Sequence, residues 1–296
     1  MLTIVSLMNF TLSVWRKSSR HSLRQSLPLR IKVKMDSVRI DKTHLKDTVV
    51  AQNPDWFCYG IDAVLLADFA VKNMPSVADR KMQILDLCSG NAIVPVLMAK
   101  TPSVKTGCFY TAVEVQEQVF YLAQKSIELN NLENSIKPVC ADLCRLEGVI
   151  GEKSFDAVTV NPPYMVKGNG RQSSNTQKMI ARQEILCTLR DVVSAAKFAL
   201  KEVGSFFMIN RANRRKEIFA LLDEFNFCRV EYRLVKPKTD KEATMILVKA
   251  QSAGADGLGE TGPGRRHIEP VKLSDLIVYG DDGKYTVEVN EIYGRV

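Results

Sequence analysis

Apolar positions along the chain alternate between short β-branched runs and longer stripes of helical spacing. Val64, Ala67 and Val71 on one face, with Leu65 and Phe69 on its flank, predict a helix, and Asp62 fits its N-cap. Residues 81–87 read as a strand running into the small-residue loop Asp86-Leu87-Cys88-Ser89-Gly90-Asn91, followed by a helix that holds Val94, Leu97 and Met98. A second strand is expected over residues 109–115, then a helix over 116–130 with Val119, Leu122, Ala123 and Ile127 on one stripe. A third strand, 136–141, ends at Asp142 and Leu143. The run 155–160 reads as a buried strand stopped abruptly by Asn161-Pro162-Pro163-Tyr164. Beyond it, Leu186, Leu189, Val193, Ala196 and Leu200 mark a long helix, residues 205–209 a strand, and Ile218, Leu221, Leu222 and Phe225 another helix. Two closing strands, 228–235 and 244–249, are expected to pair antiparallel. Residues 36–58 lack clean periodicity and are expected to hold a short strand pair, and a turn at Asp281-Asp282-Gly283 predicts a small hairpin between 276–279 and 285–289.

Strand alternating with helix is the signature of an α/β fold on a mainly parallel sheet, whose ligands bind at the carboxyl edge of the strands. The loop after the first such strand lacks both G-x-G-x-x-G and the G-K-[ST] ending of a P-loop, so it is a poor cradle for a pyrophosphate. An acid closing the strand before a small loop instead fits a cofactor with a cationic amino-acid end and no phosphate, S-adenosylmethionine, with Asp86 near the methionine ammonium. Glu114, 24 residues after Gly90, stands where a carboxylate can accept the ribose hydroxyls, and Asp142 where one can meet the adenine amino group. Any one of these acids alone reads as a solvated loop residue. Three at the ends of successive strands, with Asn161 ending the fourth, define one edge.

The Asn161-Pro162-Pro163-Tyr164 segment carries the proposed chemistry. Its prolines remove two N–H donors and stiffen the backbone, leaving acceptors beside the aromatic plate of Tyr164. That pairing fits a planar group bearing an NH2: adenine, cytosine, guanine or a glutamine amide. Taken alone, the tetrapeptide equally well caps a strand. The segment 165–183 that follows has Lys167, Arg171, Lys178 and Arg182, glycines and no acid, and reads either as a phosphate-gripping loop at the mouth of the site or as a solvated one.

Composition sharpens this picture at three points. Seven cysteines, an odd number without C-x-x-C, indicate free thiols in a reducing compartment, and with three scattered histidines no metal site is expected. The net charge of +8 is concentrated in residues 1–34, which hold seven of the 41 bases and no acid; the other 34 face 33 acids, so any nucleic-acid site must be a local patch. That amino-terminal stretch admits reading as a transit peptide, a poor secretory signal, or translation from an upstream start, with Met35 the preferred start. No run reaches the ~20 apolar residues of a membrane span. The expected organisation is a lead-in over 35–80, a core over 81–250, a Gly-rich linker over 251–267 and a tail over 268–296.

With these residues assembled, the chain resembles the class I S-adenosylmethionine-dependent methyltransferases that carry N-P-P-[YF]. More narrowly, it is similar to the bacterial family that methylates N6 of the adenine 3′ of the anticodon in valine tRNA. The likeness runs from about Phe57 through Tyr59-Gly60-Ile61-Asp62, the Asp86 loop, Glu114, Asp142, Asn161 to Tyr164, the basic loop and the closing Leu276 to Tyr279 segment. It implies a Rossmann-like α/β fold, a seven-stranded mainly parallel sheet with an antiparallel closing strand and helices on both faces. It further implies a cytoplasmic enzyme acting on tRNA with neither metal nor membrane. The cofactor residues would be Tyr59, Gly60, Asp62, Asp86, Cys88, Ser89, Gly90, Asn91, Glu114, Asp142, Leu143 and Asn161, the catalytic segment Asn161 to Tyr164, and the RNA contacts Lys167, Arg171, Lys178 and Arg182. Cys88 and Ala92 depart from the family, standing where it usually has glycines. The competing readings are a glutamine N5-methyltransferase acting on protein, a guanine N2-methyltransferase acting on ribosomal RNA, and a catalytically silent RNA-binding module.

Overall fold

The computed structural model describes residues 37–56, 58–75, 80–102, 107–164, 187–253 and 269–295. The chain divides into two units, Met1–Asp36 and Ser37–Val296, and every described residue lies in the second. The amino-terminal extension, Phe57, Leu186 and the basic residues Lys167, Arg171, Lys178 and Arg182 fall outside the described residues.

The expected strand pair is present as β1 (Arg39–Lys42) and β2 (Val49–Gln52), antiparallel. Then follow α1 (Ile61–Asn73), β3 (Met82–Leu87), α2 (Ile93–Lys100), β4 (Cys108–Glu114), α3 (Glu117–Leu129), β5 (Ile136–Cys140) and β6 (Phe155–Val160). The second half adds α4 (Leu189–Ala199), β7 (Leu200–Arg211), α5 (Arg215–Glu224), β8 (Phe227–Lys236) and β9 (Met245–Ser252). Seven long strands run in the order β8-β9-β7-β6-β3-β4-β5, and β9 alone among them lies antiparallel to its neighbours. Two-residue strands β10 (Val271–Lys272) and β11 (Leu276–Ile277) add to the β8 edge in parallel, so the sheet has nine strands rather than seven.

Adjacent residues of the central strands feed opposite faces of the sheet, as the two-residue pleat requires. Ile84 and Phe207 join a core with Leu66 of α1 and Leu97 of α2, whereas Leu85 and Phe206 join one with Val193 of α4 and Leu222 of α5. Every residue of β6 is buried, which is why it reads as a continuous run rather than an alternating one. Burial on this scale is worth roughly 1.5–3 kcal/mol per large apolar side chain and holds the strand ends in fixed register.

Local chemistry moved several boundaries. Gly60, not Asp62, is the N-cap of α1; Asp62 lies inside the first turn and its carboxylate is committed elsewhere. α4 starts at Leu189 because Thr188 and Asp191 form a reciprocal capping box, and Leu200 already belongs to a β7 longer than expected. Gln251 and Ser252 complete β9 instead of opening a linker. The tail hairpin is only half present: Tyr279 bridges Tyr285 across the turn, but the second arm is the helix α6 (Val287–Ile292). Thr286 caps that helix at the Val289 N–H, and Val289 and Ile292, three apart, both bury against the core.

Candidate active site

Because β3, β4, β5 and β6 are parallel, their carboxyl ends fall on one edge. The chain order reverses between β3 and β6, one leading to β4 and β5 and the other to β7, and a crevice opens at such a switch point. A cleft of about 1160 Å³, open mouth included, lies there. Asp86, Cys88, Ser89, Gly90 and Asn91 form its β3 side, Glu114, Asp142 and Leu143 one wall, and Asn161 and Pro163 another, with Tyr59 at the approach. Gly60, Asp62, Pro162 and Tyr164, also expected at the site, are not part of this lining.

The loop after β3 turns sharply because three of its residues are left-handed: Cys88 (φ 54°), Gly90 (φ 59°) and Ala92 (φ 63°). Glycine adopts that region freely and other residues only at a cost, which accounts for the glycines usual in the family at positions 88 and 92. The turn is held by the Gly90 N–H, which donates to Glu114 Oε2 at 3.0 Å, and by the Ser89 N–H on the Val113 carbonyl. Glu114 Oε1 accepts the Gln116 N–H at 2.9 Å. Asn91 ties the loop to β2 by donating to the Ala51 carbonyl at 3.1 Å.

The cleft is anionic and its central acid is incompletely satisfied. Asp86 is 2% exposed; its Oδ1 accepts the Thr159 hydroxyl at 2.6 Å, while Oδ2 and the neighbouring Ser89 Oγ are buried with no well-formed hydrogen bond. Burial, with a smaller push from Glu114, raises the Asp86 pKa from 3.8 to about 7 against the opposing hydroxyls of Ser89 and Thr159. Burial also raises Glu114, tempered by the N–H groups of Gln116 and Gly90. The neighbouring Cys187 and burial push the Cys88 thiol well above its ordinary range. Three carboxylates line the cleft, and no Lys, Arg or His stands among its described lining residues. An orphaned carboxylate oxygen in an anionic crevice fits a cationic nucleoside with an ammonium group, as S-adenosylmethionine is, and not a pyrophosphate. Asp86 and Ser89 would hold the ammonium end, Glu114 the ribose and Asp142 with Leu143 the adenine.

Beside the cleft, Asp62, Asn161 and Tyr164 form one polar cluster. Asn161 Nδ2 donates to Asp62 Oδ2 at 3.2 Å, and the Tyr164 hydroxyl donates to the same oxygen at 2.5 Å. The Tyr164 hydroxyl also abuts Asn161 Oδ1. One phenolic hydrogen thus serves two acceptors. Burial and the Asp62 charge raise the Tyr164 pKa well above 10, so the phenol keeps its proton. The guanidinium of Arg211, at the end of β7, sits 5.2 Å from the centre of the Tyr164 ring.

No sequence motif marks Trp56, Gln116 and Cys187, which line the cleft, or Arg211. Trp56 closes a turn onto the Asn53 carbonyl, and Asn53-Pro54-Asp55 was the available signal. Cys187 and Arg211 reach the site only through the sheet order. Among the described residues no cluster of three potential ligands could hold a metal, and no helix is long and apolar enough to cross a membrane.

The methyltransferase small domain family matches residues 50–234. Curated relatives named tRNA1(Val) (adenine(37)-N6)-methyltransferase include one from Histophilus somni (strain 129Pt), 27% identical over 151 residues, or 51% of this chain and 59% of that protein. Another, from Shewanella sp. (strain MR-4), is 23% identical over 78% of this chain and 88% of its own length. The match to the first thus spans little more than half of that relative. Among solved structures, a predicted O-methyltransferase from Agrobacterium tumefaciens superposes with a TM-score of 0.57 at 21% identity, covering 79% of this chain and 97% of that one. TYW2 from P. horikoshii, solved in complex with MeSAdo, gives 0.51 at 13% identity over 74% and 73%. Both share the fold. The family match takes in β3 to β7, most of β8 and the cleft between them, and the chain belongs to the methyltransferase small domain family.

Proposed function

We propose that the chain methylates the exocyclic N6 amine of an adenine in tRNA, the anticodon loop of valine tRNA being the substrate that its relatives' name points to. The observation that carries this reading is the Asn161 amide, fixed at the rim of the anionic cleft with its Nδ2 engaged by Asp62. S-Adenosylmethionine, when bound, supplies an electrophilic methyl group. The amine is a poor nucleophile because its lone pair is delocalised into the purine. Asn161 has no basic group at neutral pH. Its Oδ1, with the Pro162 carbonyl, instead accepts the two N–H groups of the amine, drawing the nitrogen toward tetrahedral geometry and stabilising the charge that develops there; as the N–C bond forms the C–S bond breaks with its electron pair left on sulfur, and the nitrogen then gives up one proton to water. For Oδ1 to do this the Tyr164 hydroxyl must leave it; the phenol keeps Asp62 as its acceptor and its ring is the stacking plate for the base. Arg211, exposed beside that ring, is a cation available to a phosphate of the same strand. A base in an RNA loop enters such a site without a duplex being opened.

The test is tritium transfer from labelled S-adenosylmethionine, with the full chain, into total tRNA, ribosomal RNA and ribosome-free protein extract, followed by nucleoside analysis. Label as N6-methyladenosine in tRNA is expected. Label in protein would put glutamine in its place, label as N2-methylguanosine in ribosomal RNA would put guanine there, and cofactor binding without label in any fraction would favour a silent module. Asn161→Ala should lower turnover by roughly 100-fold or more while leaving cofactor affinity near normal. Normal turnover in that variant would remove Asn161 from the mechanism.

A further inference from the structure

We infer that Asp62 is the positioning residue that decides which way round the Asn161 amide faces. This rests on the proposed amine methylation and deepens it. A side-chain amide is nearly symmetrical in shape but not in chemistry: its oxygen accepts, its nitrogen only donates. Turned one way, Asn161 offers an acceptor to the incoming NH2. Turned the other, it sets its own N–H groups against those of the amine, and the chemistry has no acceptor.

Something must choose between the two, and the structure holds a group that does so. An ionised carboxylate only accepts, so Asp62 Oδ2 draws Nδ2 toward itself, at 3.2 Å, and repels Oδ1. Its partner orientation is thereby the productive one, with Oδ1 turned toward the place now taken by the Tyr164 hydroxyl. The carboxylate is itself well fixed. Asp62 is 8% exposed, in the first turn of a helix whose Leu65 and Leu66 are wholly buried. At Gly60 an added Cβ would come within 2.8 Å of Asp62 Oδ1, so the absent side chain leaves room for this rotamer. Asp62 is not part of the cleft lining. On this inference it acts through Asn161 and not on the cofactor, a role different from the cofactor contact that the resemblance implies for Asp62.

The decisive experiment compares Asp62→Ala and Asp62→Asn in two backgrounds, native Asn161 and Asn161→Asp. A carboxylate at 161 presents an oxygen whichever way it turns and needs no guide. With unmodified tRNA of the kind that the wild-type protein methylates as substrate, Asp62→Ala should lower kcat up to about 100-fold in the native background. Asp62→Asn, whose amide oxygen can still accept from Nδ2, should lose only a few-fold, and S-adenosylmethionine affinity by calorimetry should stay within about twofold in both. In the Asn161→Asp background Asp62→Ala should cost nothing. A readout independent of turnover is the Asn161 side-chain amide in ¹⁵N-asparagine-labelled protein, assigned by its loss in Asn161→Asp. Its hydrogen exchange should be slow in the native protein and fast in Asp62→Ala. An equal kcat loss in both backgrounds, a loss of cofactor affinity in place of kcat, or unchanged amide exchange would each overturn the inference. If the wild-type protein labels no RNA at all, the proposed function fails, while the exchange measurement still decides the role of Asp62.

Discussion

On the reading that Asp86 receives the cofactor's ammonium, cofactor binding is a proton-linked event. In the free protein the Asp86 pKa stands at about 7 instead of 3.8, because burial and, less strongly, the Glu114 charge disfavour ionisation by more than the Ser89 and Thr159 hydroxyls favour it. An ammonium placed against Oδ2 reverses that balance, and Asp86 must ionise to receive it. At pH 6 about nine in ten free molecules hold the proton, at pH 7.5 about a quarter. The affinity for S-adenosylmethionine should therefore rise about 5- to 8-fold between pH 6 and 7.5, or ~1 kcal/mol, allowing for partial loss of the ligand's own α-amino proton near the upper limit. Calorimetry at pH 6 in two buffers of different ionisation enthalpy should show close to one proton released per cofactor bound. Asp86→Asn should bind more weakly with both the pH dependence and the proton release gone. In the free protein the sign is opposite. The folded form keeps a proton that the unfolded chain gives up above pH ~4, so this group's contribution to stability falls as pH rises from about 4 to 7 and is flat above. A cofactor affinity that does not change between pH 6 and 7.5, with no proton released, would refute the placing of the ammonium at Asp86.

Three further substitutions separate structure from chemistry. Gly90→Ala meets no atom within 4 Å of its new Cβ, so its cost should be the left-handed backbone alone, about 1–2 kcal/mol by urea denaturation; unchanged stability would contradict the backbone assignment. Asp156 lies at the opposite edge of the sheet, accepting from Arg80, Lys201 at 2.9 Å and the Gln83 N–H at 2.8 Å, which together outweigh burial and hold its pKa at about 2. Asp156→Ala should cost about 1.5–3 kcal/mol while leaving methyl transfer intact, and the stability that Asp156 confers at neutral pH should be lost as pH falls from about 4 to 2. Arg211→Ala should raise the KM for RNA and reduce the salt dependence of RNA binding by about one phosphate contact, with cofactor affinity unchanged; an effect on the cofactor alone would move Arg211 to the other side of the site.

What the sequence could reveal was what local pattern encodes. The buried run 155–160 and its proline stop mark β6, and an acid closing each of β3, β4 and β5 marks one edge before any tertiary contact is known. The left-handed turns at positions 88 and 92 were concealed, because here a cysteine and an alanine occupy places that glycine would have advertised. Asp62 shows a different limit. An acid at the start of a helical stripe is the ordinary signal of a cap, and only the packing of α1 against β7 and β9 brings it to Asn161, 99 residues away. The second arm of the tail failed for a similar reason: alternating Thr286 to Val289 reads as strand, but with no strand neighbour beside it the cap and the apolar spacing of Val289 and Ile292 prevail.

The sheet order also separates two electrostatic demands that would conflict in one pocket. A sulfonium cofactor is drawn by carboxylates, and Asp86, Glu114 and Asp142 lie at the ends of β3, β4 and β5. A phosphodiester strand is repelled by them and needs cations. On the proposed reading those stand across the switch point, where Arg211 ends β7. β6 runs between the two halves, and Asn161, a neutral residue, ends it. An acid at that position would extend the anionic wall toward the RNA, and a base would compete for the carboxylates that receive the cofactor. On the proposed reading, a neutral acceptor oriented by Asp62 lets the methyl group, and the positive charge that travels with it from sulfur to nitrogen, pass between the two halves with no further fixed charge at position 161.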